Sequence, residues 1–186
     1  MIDVILKKGK ERSLLRRHPW VYDTAVQRVA GRPASGETVR VVSSEGRELG
    51  LGAFSPASTI RVRMWSFDCS VDVDDPQFLE RRIKAAVDAR EPLLARTNAR
   101  RLVFGEADGI PGLVVDDYDG WLVTQFQSAG VERRRKELID SLMKVTNARG
   151  IFDRSDAATR AREGLEPHVG VLAGAEAPQL IDIVED

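Results

Sequence analysis

The sequence predicts an α+β protein: a small barrel-like β unit at the N-terminus, a connecting helix, and a second unit that mixes strands with helices. Three observations carry this. Short runs in the first third, GETVRVV (36–42) and STIRVRMW (58–65), alternate apolar and basic residues with the two-residue period of strands that bury one face. The middle of the chain switches to helical spacing, with Phe78, Leu79, Ile83, Ala86 and Val87 along one side of PQFLERRIKAAVDAR. Beyond it, β-type runs are interrupted by one long and one short helical pattern.

Within the first unit, RSLLRRHPWVY (12–22) holds a helical turn that must stop near His18, because Pro19 disfavours a helical residue before it. Ser44-Glu45-Gly46 and Gly50-Leu51-Gly52 are expected turns, being rich in residues that accept sharp bends. FDCSVDVDD (67–75) is acidic and leads into Pro76, which a first helical turn tolerates, and Pro92 should end or kink the helix. RLVFGEADG (101–109) and GLVVDDYDGWLVTQF (112–126) open the last unit as a hairpin, broken at Asp108-Gly109 and Asp119-Gly120. Ser128 stands where it could cap one helix through VERRRKELIDSLMKV, with Val131, Leu138, Ile139, Leu142 and Val145 facing one way and Gly150 closing it. GIFDR reads as a strand, Ser155 or Asp156 as the cap of a short helix to Arg162, and VGVLAG and QLIDIVED as a strand-rich end. The expected order is strand, strand, helix, strand, short helix, strand.

Composition narrows the function classes. A chain of 186 residues, 42% hydrophobic and 31% charged, has the make-up of a soluble globular protein. No apolar run approaches the roughly 20 residues that cross a bilayer, and the N-terminus lacks the apolar core of a secretory signal. Cys69 is the only cysteine, which excludes an intrachain disulfide and a cysteine-built metal site and suits a reducing cytoplasm. Charge is unevenly placed. Residues 1–66 carry 12 Lys or Arg against 6 Asp or Glu, whereas 67–186 carry 16 against 23. A basic third joined to an acidic remainder suggests different partners for the two parts, although a merely lopsided solvated surface reads the same way.

The residues that could carry chemistry are few. A nucleotide or S-adenosylmethionine site in an open α/β sheet needs a glycine-rich turn from strand to helix. GEADGIPG (105–112) instead joins one β-type run to another, so its glycines read as hairpin turns. Glu106, Asp108, Asp116, Asp117 and Asp119 could bind a hard cation, but all except Glu106 sit at or near turns, where Asp serves the backbone. His18 and His168 lie far apart in sequence, and Cys69 has no base nearby in sequence. No catalytic, cofactor-binding or metal-ligating residue is assigned. The basic residues are the better lead. Lys7, Lys8, Lys10, Arg12, Arg16 and Arg17 run into His18-Pro19-Trp20, and Arg61 and Arg63, two apart, share one face of a strand. Arginine pairs bidentately with phosphate and stacks on bases, which suits RNA. Arg134 and Arg135 on the later helix are expected to be ordinary solvated charges.

KKGKERSLLRRHPWVY, LGAFSPASTIRVRMWS and RLVFGEADGIPGLVVDDYDGWLVTQFQSAGVERRR, followed by GIFDRSDAATRAREGLE and VGVLAG, together resemble one family over almost the whole chain. It is the large-subunit ribosomal-RNA cytosine-5 methyltransferases, built as a PUA domain, a central α+β domain and a Rossmann-like catalytic domain. The resemblance implies a PUA-like RNA-binding pseudobarrel over 1–67, a linker with a helix over 68–97 and a central α+β domain over 98–186. It carries RNA contact onto Lys7, Lys8, Arg16, Arg17, Arg61 and Arg63. In the family the S-adenosylmethionine loops and the catalytic cysteine follow the central domain. Cytosine-5 methylation needs a thiolate beside a methyl donor, and Cys69 matches no catalytic motif. The expectation is therefore an RNA-binding, substrate-targeting portion that binds no cofactor and is inactive alone, with ribosomal RNA as partner, a cytoplasmic location and no membrane contact. Two rivals remain: a free-standing RNA-binding adaptor, and a metal-dependent enzyme built on the acidic hairpin.

Overall fold

The computed structural model describes residues 1–185. Its first sheet contains β1 (Ile2–Leu6), β2 (Trp20–Tyr22), β3 (Val26–Val29), β4 (Thr38–Val42), β5 (Glu48–Phe54) and β6 (Ile60–Ser66), in spatial order β2-β6-β5-β4-β1-β3. β1 and β4 run parallel and the other neighbours antiparallel. The helical turn expected before His18 is α1 (Arg12–Leu15), carried on the connection from β1 to β2. Val4, Leu6, Leu14, Val39, Val41, Val62 and Met64 fill the inside of the curled sheet.

β5 shows why LGLGAF lacks the alternation of its neighbours: both of its faces are buried. Leu49 points into the barrel, whereas Leu51 and Ala53 join a second core. Gly50-Leu51-Gly52, expected as a turn, therefore lies inside the strand. A β-carbon on Gly52 would meet the Val62 side chain at 2.5 Å, and one on Gly50 the Met64 side chain at 2.7 Å. The glycines make room for β6 rather than bending the chain. Ser44-Glu45-Gly46 does form a turn, closed by Ser43 and Arg47.

The second sheet contains β7 (Ala99–Phe104), β8 (Leu113–Tyr118), β9 (Trp121–Phe126), β10 (Gly150–Arg154) and β11 (Val169–Gly174), in order β11-β10-β9-β8-β7. The run 112–126 divides at Asp119-Gly120, so three strands precede the helices rather than two. β9 and β10 are parallel, and the required crossover is supplied by α3 (Ala129–Arg133) and α4 (Arg135–Thr146). α2 (Pro76–Arg90) packs beside α4, burying Phe78, Leu79, Ile83, Leu138 and Leu142 against Leu102, Val115, Leu122 and Phe126.

Several local expectations are corrected. The single helix after Ser128 is two, broken at Arg134. Ser128 does precede α3, but its hydroxyl donates to Pro111 O at 2.9 Å instead of capping. Asn147, with φ 52°, ends α4, and Gly150 begins β10. Asp156 rather than Ser155 caps α5 (Ala157–Arg162), accepting from Thr159 N, because the Ser155 hydroxyl is drawn to Asp153. QLIDIVED forms no strand among the described residues, and its Asp186 lies outside them. It hydrogen-bonds Asn98 and makes an isolated bridge from Glu185 to Thr97, both just ahead of β7.

The two sheets share a core, since Leu51, Ala53 and Trp65 belong to the same buried cluster as α2, α4 and the second sheet. α3 closes the seam by lying directly on β5. Gly130 allows this approach: a β-carbon there would fall 2.5 Å from Ala53 Cβ and 2.8 Å from Trp65 Cζ2. Both neighbours are buried and cannot yield. Gly130→Ala is expected to lower the urea midpoint, the overpacking cost of about 1–3 kcal/mol exceeding the helix-propensity gain of about 1 kcal/mol.

Candidate nucleic-acid interface

The basic residues between β1 and β2 form one exposed excursion. Lys7 and Lys8 follow β1 in a turn closed by Lys10 N to Lys7 O, and Arg16, Arg17 and His18 follow α1. Leu14 anchors the excursion in the barrel core. Lys7 Nζ donates to Thr24 O at 2.9 Å, and the Arg17 guanidinium carbon lies 5.2 Å from the centre of the Phe67 ring. Among the described residues, none of Lys7, Lys8, Lys10, Arg12, Arg16 and Arg17 forms an ion pair. His18 serves the local backbone: its Nδ1 accepts from Trp20 N, and its ring meets Trp20 edge to face.

Arg61 and Arg63 are placed differently. They do share a strand face, as their spacing predicts, but it is the face of β6 that carries Trp65 into the shared core. Arg61 donates to Ser55 O and Pro56 O, bracing the β5–β6 loop. The Arg63 side chain, only 12% exposed, donates from Nη2 to Glu163 Oε1 at 2.7 Å and lies 5.7 Å from the Trp20 ring centre. Glu163, 3% exposed, also accepts from the Ser55 hydroxyl at 2.5 Å. Trp20 Nε1 donates to Glu106 at 2.6 Å. The exposed basic set is thus Lys7, Lys8, Arg16 and Arg17, while Arg61 and Arg63 are structural struts in this geometry.

The expectation that Arg134 and Arg135 are solvated is corrected. Arg134 donates to Val73 O, Asp74 and Thr38, with its guanidinium over the Trp65 ring. Arg135 donates to Asp153 Oδ2 at 2.7 Å and to Glu132, over Phe126. Arg160, 2% exposed, completes the network through Glu132, Phe126 O and Glu166 O. His168 Nδ1 lies 2.9 Å from Asp153. These residues were missed although a signal existed: positions 134 and 135 stand three and four after Val131 and before Leu138, on the apolar stripe itself.

The other candidates are likewise accounted for. Asp108 pairs with Arg90, Asp116 with Arg101, Asp117 with Arg100 and Asp119 with Arg149, so the acidic hairpin is matched by arginines. Among the described residues no group of three or more acidic, His or Cys side chains is arranged to hold a metal ion. Burial, then the nearby Glu48, pushes the Cys69 thiol up, away from the thiolate that nucleophilic chemistry needs. GEADGIPG is the tight connection from β7 to β8. At the strand-to-helix turns of the second sheet, Ser128 Oγ donates to Pro111 O before α3 and Asp156 caps α5 through Thr159 N. Neither turn is glycine-rich: Gly130 in the first is packed against Ala53 and Trp65, and Arg154-Ser155-Asp156-Ala157 in the second holds no glycine.

The geometry of the first sheet agrees with a family-model match covering residues 4–67. These residues are a PUA-like domain. The chain is also closely homologous to ribosomal RNA large subunit methyltransferase I. It is 45% identical to that protein of Erwinia tasmaniensis over 188 aligned positions, covering 99% of this chain and 47% of the relative. The Shigella boydii protein of the same name is 42% identical over 99% of this chain and 47% of its own. The chain thus spans about half the length of the curated relatives it matches. Two solved structures share the fold at 18% identity. A putative SAM-dependent methyltransferase from Streptococcus mutans gives a TM-score of 0.77 over 96% of this chain and 45% of its own. A putative methyltransferase complexed with SAH gives 0.81 over 100% and 46%. Among the described residues no helix is long and apolar enough to cross a membrane.

In this frame Arg63 and Glu163 tie the PUA-like domain to α5. Removing Glu163 leaves the buried Arg63 only the longer 3.8 Å contact to Glu106, so Glu163→Ala should cost about 3 kcal/mol in urea unfolding, whereas Lys136→Ala at the exposed Asp140 pair should leave the midpoint unchanged. Glu132 gives a pH test. Burial alone would raise its pKa, and the hydrogen bonds from Arg135 and Arg160 outweigh this and hold it below the ordinary value of 4.5. A depressed carboxylate contributes stability above its unfolded pKa and loses it as pH falls through the folded one. Glu132→Gln should therefore flatten the loss of stability below about pH 4.5.

Proposed function

We propose that this chain is the RNA-binding, substrate-targeting portion of an S-adenosylmethionine-dependent ribosomal-RNA (cytosine-5) methyltransferase, working in the cytoplasm and not itself catalytic. In this reading residues 1–67 engage RNA, 68–97 link, and 98–186 form a central domain that spaces the PUA-like domain from catalytic machinery outside these residues. The observation that carries it is the contrast in charge pairing. Most arginines at the seam and on the second sheet have a carboxylate partner, while the cations of the β1–β2 excursion have none among the described residues and stand on the surface. Unpaired surface cations in a cluster suit a polyanion, because binding them releases counterions from its phosphates.

Homology to ribosomal RNA large subunit methyltransferase I supports ribosomal RNA as the polyanion. The strand-to-helix turns of the second sheet, neither of them glycine-rich, support placing S-adenosylmethionine elsewhere. They also suit a second reading, a free-standing RNA-binding adaptor, which would use the same interface.

The test is the salt dependence of binding to structured and single-stranded ribosomal-RNA fragments. Affinity should fall steeply with salt, with a log–log slope of about −0.7 per phosphate met on single strands. Lys7→Ala with Lys8→Ala should weaken binding and flatten the slope by about 1.4 if each meets one phosphate. Arg162→Ala with Lys136→Ala, both exposed on the second unit, is the matched control. Equal weakening by the control pair would reduce the N-terminal charge excess to a solvated surface.

A further inference from the structure

We propose that Arg17 and Arg47 together hold one phosphodiester of a single-stranded RNA segment, in the cavity between α1 and the β4–β5 turn. The proposal rests on the RNA-binding reading above and adds to it a defined seat and a residue, Arg47, that the sequence did not single out.

The cavity measures about 170 Å³, and its wall includes Leu14, Leu15, Arg17, Arg47, Glu48 and Phe67. Neither guanidinium has a hydrogen-bond or ion-pair partner among the described residues, so each presents free N–H groups. The acid beside them, Glu48, is committed: Arg40 Nη1 donates to it at 2.5 Å, and Arg40 is held in turn by Asp3 at 2.8 Å. Asp68, the next carboxylate, accepts from the amide and hydroxyl of Ser70. The hydrogen-bond donors left free in the cavity are therefore the two guanidiniums, with apolar walls for a sugar and base. Leu15, an apolar side chain 50% exposed, stands at the rim.

Both arginines are set by their backbones. Arg47 closes the β4–β5 turn, its amide donating to Ser43 Oγ at 3.1 Å and its carbonyl accepting from Ser43 N at 2.8 Å. Arg17 ends α1 in the left-handed region with φ 63°, where its amide bonds Leu14 O and the next amide bonds Ser13 O. Glycine is the residue this position favours, since a β-carbon there is strained. An arginine held in that conformation, with its head against Phe67 and no carboxylate at ion-pair distance among the described residues, fits a side chain kept for a ligand rather than for the fold. Two guanidinium forks around one anion supply charge-assisted hydrogen bonds that a lone surface lysine cannot match.

The experiment measures fluorescence anisotropy of a labelled single-stranded RNA oligonucleotide with the full chain across a salt series. The variants are Arg17→Gly, Arg47→Ala and the double variant. Each single change should flatten the log–log slope by about 0.7, and the double change by no more, because the phosphate is seated only between both guanidiniums and is given up when either is lost. Arg17→Gly should also raise Tm by relieving the left-handed strain, so that its weaker binding cannot be a folding defect. An unchanged slope for Arg47→Ala, with Lys7→Ala/Lys8→Ala still flattening it, overturns this seat and leaves the RNA-binding reading standing. Losses that add to about 1.4 in the double variant overturn the shared phosphate. Displacement of the RNA by a polyglutamate peptide at equal charge overturns RNA as the occupant. Absence of salt-dependent RNA binding in the unaltered chain overturns the underlying reading itself.

Discussion

The ion pair between Arg63 and Glu163 is the constraint on which the relation of the two sheets depends. Arg63 comes from β6 of the PUA-like domain, and Glu163 follows α5, a hundred residues later in the chain. Neither charge could be buried alone, since desolvation would cost more than the fold can supply. Paired, and with Ser55 and the Trp20 ring completing the surroundings, they fix β6 against the second unit. Trp65 and Gly130 then convert that fixed approach into packing, with α3 lying against β5 closely enough to exclude any side chain at position 130.

This arrangement divides the arginines of the chain into two populations. Those at the seam and on the second sheet are consumed by carboxylates, carbonyls and aromatic rings: Arg90, Arg100, Arg134, Arg135 and Arg160 among them. They hold a domain whose strands and helices carry many charges on partly buried faces. Those of the β1–β2 excursion have no carboxylate partner among the described residues, and Arg17 meets only the Phe67 ring. Placement rather than number of charges separates an exposed cationic surface from a structural network here, because a guanidinium already bound to a carboxylate offers little to a phosphate. The overall charge of −1 hides both populations.

Homology and architecture agree on the kind of protein without deciding its chemistry. The PUA-like match spans residues 4–67, and the chain covers about half of ribosomal RNA large subunit methyltransferase I. The fold shared with two putative methyltransferases extends through both sheets, so the second unit is part of a common scaffold and not an appended tail.

The sequence by itself determined most of the elements. Period-two runs became β4 and β6, the stripe from Phe78 to Ala86 became the buried side of α2, and Asp119-Gly120 turned the chain between β8 and β9. These are local properties, written in spacing and in residues that tolerate tight turns. The cluster Lys7, Lys8, Arg16 and Arg17 was legible for the same reason, being contiguous in sequence. Only the tertiary structure decided what the remaining charges do. Arg63 looks like Arg61 on a strand pattern, and Arg134 and Arg135 look like Arg133 on a helix, until the partner 18, 60 or 100 residues away is in place. The glycines at 50, 52 and 130 were equally silent, because a turn and a close approach of two backbones ask for the same residue. Local pattern sets which way a chain bends and which face is apolar. Whether a charge is solvated or buried is set by what lies opposite it, and that is a long-range fact.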